Sequence, residues 1–394
     1  MHYKNQQDGR YNALIFIAGT FILSSSLRVA LFNAAMSHST AGQILAQTAS
    51  PVTERFKKIA AIIQHVRPDI LLLCEFDHHG DGGDDGALDN FCRHYLAVAQ
   101  QSNLDEQTLP IDYPYRYLPP SNTGLLSEVD FNGDNQCTLP EDGYGFGDHH
   151  GHYGFVILSR YPIDESQLRS WQHFLWRDMP GNQMPAAYYS AEAQKVFRLS
   201  SKNHISLPVV VGDRTLQLLC CHPTPPVFDG EEKRNLRRNH DELRLLVDII
   251  DNADYLYDDK GVQTGLASTD SFIVMGDLNA DPVDGDGSKS AIKQLLHHAR
   301  VNRSVSCGKK TPKSVGGRFA RIWQPRNGRA SEWTHLSGLR LDYVLPSHDL
   351  RVLKSGVFWP DRKDPMRPLV VDEKGRERAQ AGSDHRMVWV DIRI

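Results

Sequence analysis

Apolar residues in this chain gather into short runs bounded by Gly, Pro, Ser or a charged residue, with charged amphipathic stretches between them. Runs of that kind read as buried strands. They lie at Leu27–Phe32, Ile70–Cys74, Tyr153–Ile163, Phe272–Met275, Leu339–Pro346 and Val352–Trp359, and a last one follows His385 up to Ile392. Two more, Ile205–Val211 and Arg214–Cys221, alternate around Gly212-Asp213, a dipeptide suited to a tight hairpin turn. Apolar positions three and four apart predict helices over Pro51–Val66, Leu88–Gln100, Glu231–Asp251 and Ser288–Arg300. Three stretches resist assignment: irregular Tyr113–His152, the aromatic insertion Trp171–Ser201, and the basic, Gly- and Arg-rich Asn302–Thr334. No repeat of fixed period, low-complexity tract or linker interrupts the chain, so residues 27–394 read as one domain.

The informative residues stand where the apolar runs stop. Ser271-Phe272-Ile273-Val274-Met275-Gly276-Asp277-Leu278-Asn279 carries a buried strand to an acid and an amide two residues apart, which lets both point the same way. Asn33 follows the first run, Glu75 the second, and His222 the strand that ends in Cys221, with prolines fixing the backbone after it. Asp342 sits inside a later strand, and Asp384-His385 precedes the last one. A carboxylate at the end of a buried strand is costly unless it is paired or binds a cation. If these strands pack side by side, their ends share one rim. The rim would then hold carboxylates and amides suited to Mg²⁺ or Mn²⁺, and two histidines able to move protons or hold a phosphoryl oxygen.

Absent motifs narrow the chemistry. There is no HExxH, no GxSxG elbow, no P-loop and no GxGxxG, which disfavours zinc peptidases, serine hydrolases and nucleotide-binding folds. The six cysteines show no paired CxxC spacing, so a structural zinc site is disfavoured too. Metal-assisted hydrolysis of a phosphoester remains. A net charge of −4 argues against a broad basic surface for nucleic acid but leaves a local basic groove open. The segment Asp130, Asn132, Asp134, Gln136, Thr138 and Glu141 falls in a calcium-loop register, although Asn135 replaces the usual Gly and no amphipathic helices flank it. It raises a structural Ca²⁺ as a further cofactor.

Near the start, Lys4 and Arg10 precede the apolar run Ala13–Leu23 and the small residues Ser24-Ser25-Ser26. That order predicts a secretory signal over residues 1–26 and a secreted or periplasmic protein. The run is too short to span a bilayer comfortably, and nothing else is apolar enough to be a transmembrane anchor.

Taken together, Asn33, the terminal Glu of Leu72-Leu73-Cys74-Glu75, Gly276-Asp277-Leu278-Asn279, Leu341-Asp342-Tyr343 and Ser383-Asp384-His385 resemble the successive motifs of the endonuclease/exonuclease/phosphatase superfamily. The motifs come in the family's order and span residues 28 to 392. The resemblance implies a four-layered α/β sandwich, two mixed sheets face to face with helices outside. It implies a catalytic Mg²⁺ on Glu75, helped by Asn33 and Asp384. Asp277 would orient or deprotonate water, Asn279 would hold a phosphate oxygen, and His385 would be oriented by Asp342. His222 would meet the phosphate from the other side, and Tyr153 would contact substrate unless His152 takes its place. Ala35 stands where abasic-site nucleases carry an acid, which puts a second metal there in doubt. The reading is an exported, Mg²⁺-dependent phosphoester hydrolase acting on a phosphorylated small molecule, a lipid or a nucleic acid, with no obligate protein partner evident. The alternatives are an extracellular nuclease and a non-catalytic calcium-binding surface module on the same fold.

Overall fold

A computed structural model describes residues 26–101 and 106–394. The apolar run read as an export signal lies outside the described residues. Eleven strands form: β1 Ser26–Met36, β2 Ile70–Phe76, β3 Tyr115–Tyr117, β4 Phe155–Ser159, β5 Arg169–Ser170, β6 His204–Val211, β7 Arg214–Cys221, β8 Phe272–Asp277, β9 Asp342–Pro346, β10 Arg351–Val357 and β11 Val388–Arg393. They make a six-stranded sheet, β10-β11-β1-β2-β4-β3, and a five-stranded sheet, β5-β6-β7-β8-β9. Each sheet is mixed, because β1 runs parallel to β2 and β7 parallel to β8 while the other pairs are antiparallel.

Three apolar cores separate four layers, and side-chain alternation along the strands assigns residues to them. Val29 and Leu31 of β1 meet Leu216, Leu218, Ile273 and Met275 in the core between the sheets. The residues in between, Ala30 and Phe32, face the other way and pack with Phe56, Ile59 and Ile63 of the helix Glu54–Val66. Val274 and Phe272 of β8 likewise turn outward onto Leu243, Leu246 and Ile250 of the helix Arg234–Asp251, and onto Leu295 of the helix Lys289–Leu296. Two sheets buried on both faces explain why the strands read as continuous apolar runs. The expected α/β sandwich is the one observed.

Local differences have local causes. The helix expected over Leu88–Gln100 is α-helical only over Ala87–Phe91 and widens to a π turn at Cys92–Leu96. There the Gln64 amide takes the carbonyls of Leu96 (2.8 Å) and Val98 (2.7 Å), competing with a further helical turn. Gly276 lies within β8 rather than at its exit, and a Cβ there would stand 2.4 Å from the Cys221 carbonyl oxygen of β7. The insertion 171–201 buries Trp171, Phe174 and Trp176 in the outer core of the second sheet. Those rings are packing.

One buried histidine yields a test. His204 at the start of β6 bonds the Ser200 hydroxyl (2.7 Å) and the Glu242 carbonyl (3.1 Å), and burial pushes its pKa down to about 3. The unfolded chain protonates this ring near pH 6.5, so below that pH the unfolded state binds a proton that the fold refuses. Stability from neutral His204 is full above about pH 6.5 and is lost as pH falls toward 4. A His204→Gln variant should melt below wild type at pH 7, with the gap narrowing as calorimetry moves from pH 7 to 4. A gap that stays constant would refute the assignment.

Candidate active site

The ends of β1, β2, β7, β8 and β9, and the turn before β11, meet at one edge of the sandwich. At its centre is Asp277, 1% exposed at the end of β8. Its Oδ2 accepts a hydrogen bond from the Asn33 amide (2.9 Å) and lies 3.5 Å from His222 Nε2 and 3.6 Å from His385 Nε2. The same Asn33 amide nitrogen donates to Glu75 Oε1 (3.0 Å), so Asn33 links the carboxylates of two sheets. Behind His385, Nδ1 stands 2.9 Å from Asp342 Oδ2, while the buried Asp342 Oδ1 has no partner.

Turns hold these groups in place. Ser383 Oγ donates to the Asn33 carbonyl (2.7 Å) and accepts from the His385 amide (3.0 Å). Thr334 Oγ1 accepts from the amides of Leu341 (2.9 Å) and Asp342 (3.1 Å). The backbone is left-handed at Ala35 (φ 48°), Glu75 (φ 57°), Tyr153 (φ 57°) and Asn279 (φ 51°). Each such residue costs of order 1–3 kcal/mol, and these four of the nine left-handed non-glycine residues among the described ones stand at this rim. The β1–β2 register shifts between Asn33 and Met36, where Ala35 turns.

Electrostatics sort the groups by role. Burial raises the pKa of Asp277 to about 7; Asp342 and Glu75 push the same way, and His385 and Asn33 oppose. Burial also opposes charge on His385, but Asp342 and Asp277 outweigh it and hold its pKa well above the ordinary value. His222 is held far below its ordinary value by burial, with Lys202 and His385 adding to the effect. The site thus pairs one imidazolium with one neutral imidazole across a carboxylate that titrates near neutrality.

A sequence model of the Endonuclease/Exonuclease/phosphatase family matches residues 30–385. The chain belongs to this family. Comparison with curated protein sequences gave no match. Among solved structures, the chain is similar to an endonuclease/exonuclease/phosphatase from Beutenbergia cavernae DSM 12333, at 18% identity over 94% of this chain and 72% of that one, TM-score 0.47. It is similar to sphingomyelinase C from Streptomyces griseocarneus at 17% identity over 93% and 99%, TM-score 0.46. A beta toxin from Staphylococcus aureus with bound magnesium ions matches at 14% over 93% and 99%, TM-score 0.47. The assignment rests on the sequence match, and with it comes the reaction class, hydrolysis of phosphoester bonds.

Within this family member, the remaining residues singled out in the sequence fall in four places. Asn279 gives its amide to the Pro223 carbonyl (3.0 Å) and its backbone N–H to Asp277 Oδ1 (3.1 Å). Asp384 is paired with His335 (3.4 Å) and, among the described residues, groups with His335 and His385 rather than with Glu75. Burial would raise its pKa, but His335 and His385 hold it well below the usual carboxylate range. Tyr153 donates its backbone N–H to Asp77 Oδ1 (2.9 Å) and stacks 3.7 Å from His152, and burial, then Glu75, raises its hydroxyl pKa. In its own loop, Asp130 accepts from the amides of Gly133 (2.6 Å) and Asn135 (2.7 Å), and Asn132 and Asp134 close turns of their own. The third carboxylate near Asp130 and Asp134 belongs to Asp142, not Glu141.

Three residues at the site escaped the sequence reading. Lys202, 6% exposed just before β6, directs its charge at Glu242, Glu75 and Asp277. His335 pairs with Asp384 from an irregular segment. Arg55, on the helix Glu54–Val66, donates to the carbonyls of Gly382 (2.7 Å), Ala34 (2.9 Å) and Ala35, tying the first motif to the last. Lys202 had a weak signal, a polar run directly ahead of an apolar strand; Arg55 and His335 had none. Arg55→Ala strands three carbonyls at once and should lower stability by about 2 kcal/mol or more in chemical denaturation. A midpoint unmoved by the substitution would mean that the tether is idle.

Proposed function

We propose that this hydrolase cleaves its phosphoester by a single in-line attack of water on phosphorus, assisted by a divalent cation, Mg²⁺ or Mn²⁺. What supports the reading above all is the Asp277 carboxylate held between two histidines of opposite charge preference, with Glu75 one amide away. Carboxylates outnumber the histidines at the rim, Glu75, Asp277 and Asp342 standing with His222 and His385, which suits a hard cation, and an orphaned Asp342 oxygen is among them. Glu75 would hold the ion, with Asn33 beside it and Asp384 nearer His335. When bound, the cation would supply charge to the phosphoryl oxygens and the leaving group.

The chain's own residues account for the proton movements. Asp277, with a pKa of about 7, is matched to accept a proton from water near neutral pH. His385, kept protonated by Asp342, donates to a phosphoryl oxygen as negative charge grows on it. His222, neutral, offers a hydrogen bond from the opposite side. Asn279 keeps a second amide hydrogen for the phosphate after bonding Pro223. Tyr153 stays a neutral hydroxyl beside the substrate. We extend the proposal to export, on the strength of the apolar run Ala13–Leu23 and the small residues after it. Mass spectrometry of the protein recovered outside the cytoplasm should find a mature N-terminus near residue 27, and an intact Met1 there would refute it.

Turnover of a chromogenic phosphodiester and the matching monoester should appear with Mg²⁺ or Mn²⁺ and vanish with EDTA. His385→Ala and Asp277→Asn should each lower kcat by about 10²- to 10⁴-fold, with circular dichroism unchanged. Full activity in EDTA would remove the cation from the mechanism. Full activity in His385→Ala would remove the site.

A further inference from the structure

Asp384 and His335 do not close the site; they also line a large cleft. The cleft runs between the segment 316–337 and the segment 361–380 and encloses about 1230 Å³. Ligand pockets for single small molecules span roughly 300–1,000 Å³, so this one has room for an extended ligand. Its lining carries six Arg and Lys against three acids, Asp361, Glu377 and Asp384, although the whole chain carries a net charge of −4. Arg367 is committed to Glu377, and Arg376 to Asp372. Arg321, Arg362 and Lys374 have no ion-pair partner among the described residues and are exposed. Two aromatic side chains stand beside them, Trp323 at 98% and Phe319 at 61% exposure, on the basic segment that the sequence left unassigned.

Exposed aromatic rings interleaved with unpaired cations suit a ligand with flat faces and regularly spaced negative charges. A single-stranded nucleic acid has both, stacking its bases on aromatic rings and laying its phosphates along the cations. An anionic lipid surface would use the cations and bury the rings together, but a cleft is a poor fit to a flat bilayer. We infer that this cleft is the path of a single-stranded nucleic acid, leading a phosphodiester to the His335–Asp384 end of the site. The inference rests on the phosphoester reading of that site and adds a substrate class to it. Trp323 and Phe319 supply sequence-tolerant stacking, while Arg321, Arg362 and Lys374 supply the charge.

The test separates binding from chemistry. Fluorescence anisotropy with labelled oligo-dT and oligo-U, in EDTA and at about 50 to 200 mM salt, measures the cleft alone. Wild-type protein should bind both, with affinity falling steeply as salt rises. The triple variant R321A/R362A/K374A should bind at least tenfold more weakly and flatten the log–log salt slope by about 2, the share of three phosphates on a single strand. Trp323→Ala should weaken binding by about tenfold with the salt slope unchanged. Both variants should hydrolyse the small chromogenic substrate at the wild-type rate, which also shows that they fold. No oligonucleotide binding at low salt, or binding that the triple variant leaves intact, overturns the inference. So does capture by phosphatidylserine vesicles without oligonucleotide binding. Failure of small-substrate turnover in wild type would instead strike the phosphoester reading, and the anisotropy result would stand apart from it.

Discussion

Burying a carboxylate at the end of a strand costs several kcal/mol unless its charge is met by donors or by a proton. The Asp277 carboxylate meets that demand across the sandwich: it lies on β8 of one sheet, and the Asn33 amide that bonds it lies on β1 of the other. His385, which precedes β11 of the first sheet, reaches back to Asp342 on β9 of the second. The two sheets are therefore stitched by polar bonds at the rim of the candidate site, and by apolar packing in the core between them. Burial raises the pKa of Asp277 against the pull of His385 and Asn33, Asp342 and Asp277 hold His385 charged, and burial leaves His222 neutral. Stability and reactivity are set by a single network.

Left-handed backbone at Glu75, Ala35, Tyr153 and Asn279 follows from that geometry. A strand presents side chains perpendicular to its run, but the rim needs side chains that reach forward over the sheet edge. Leaving the strand through a left-handed residue provides the turn, and the network at the rim holds the strained backbone in place.

Much of this was legible in the sequence because strands buried on both faces leave a plain trace. The runs at 27–32, 70–74 and 272–275 had no choice but the core, and the polar residues after them stood out by contrast. The four layers could be drawn from the family resemblance, and the three cores carry them. What the sequence could not show is recognition across distance. Arg55 reaches a carbonyl 327 positions away, and nothing near Arg55 in the chain distinguishes it from a solvated helix residue. His335 and the exposed Trp323 lie in a segment with no periodicity, where propensity has nothing to grip. At Asp130 the register of polar residues pointed to Glu141, but the chain folded so that Asp142 turns inward, capping the amides of Phe131 and Thr138.

The strand order carries a consequence for the time at which this protein becomes an enzyme. β11 sits between β10 and β1, so the first described strand waits for the last described one before its second edge is paired. Asn33 and His385, which stand at the two ends of the same network, emerge from the ribosome roughly 20 to 70 seconds apart at 5–20 residues per second. Until then β1 has an open edge, and the network that joins Asn33 to His385 through Asp277 is incomplete. The topology completes the candidate site only when the last described strand is in place.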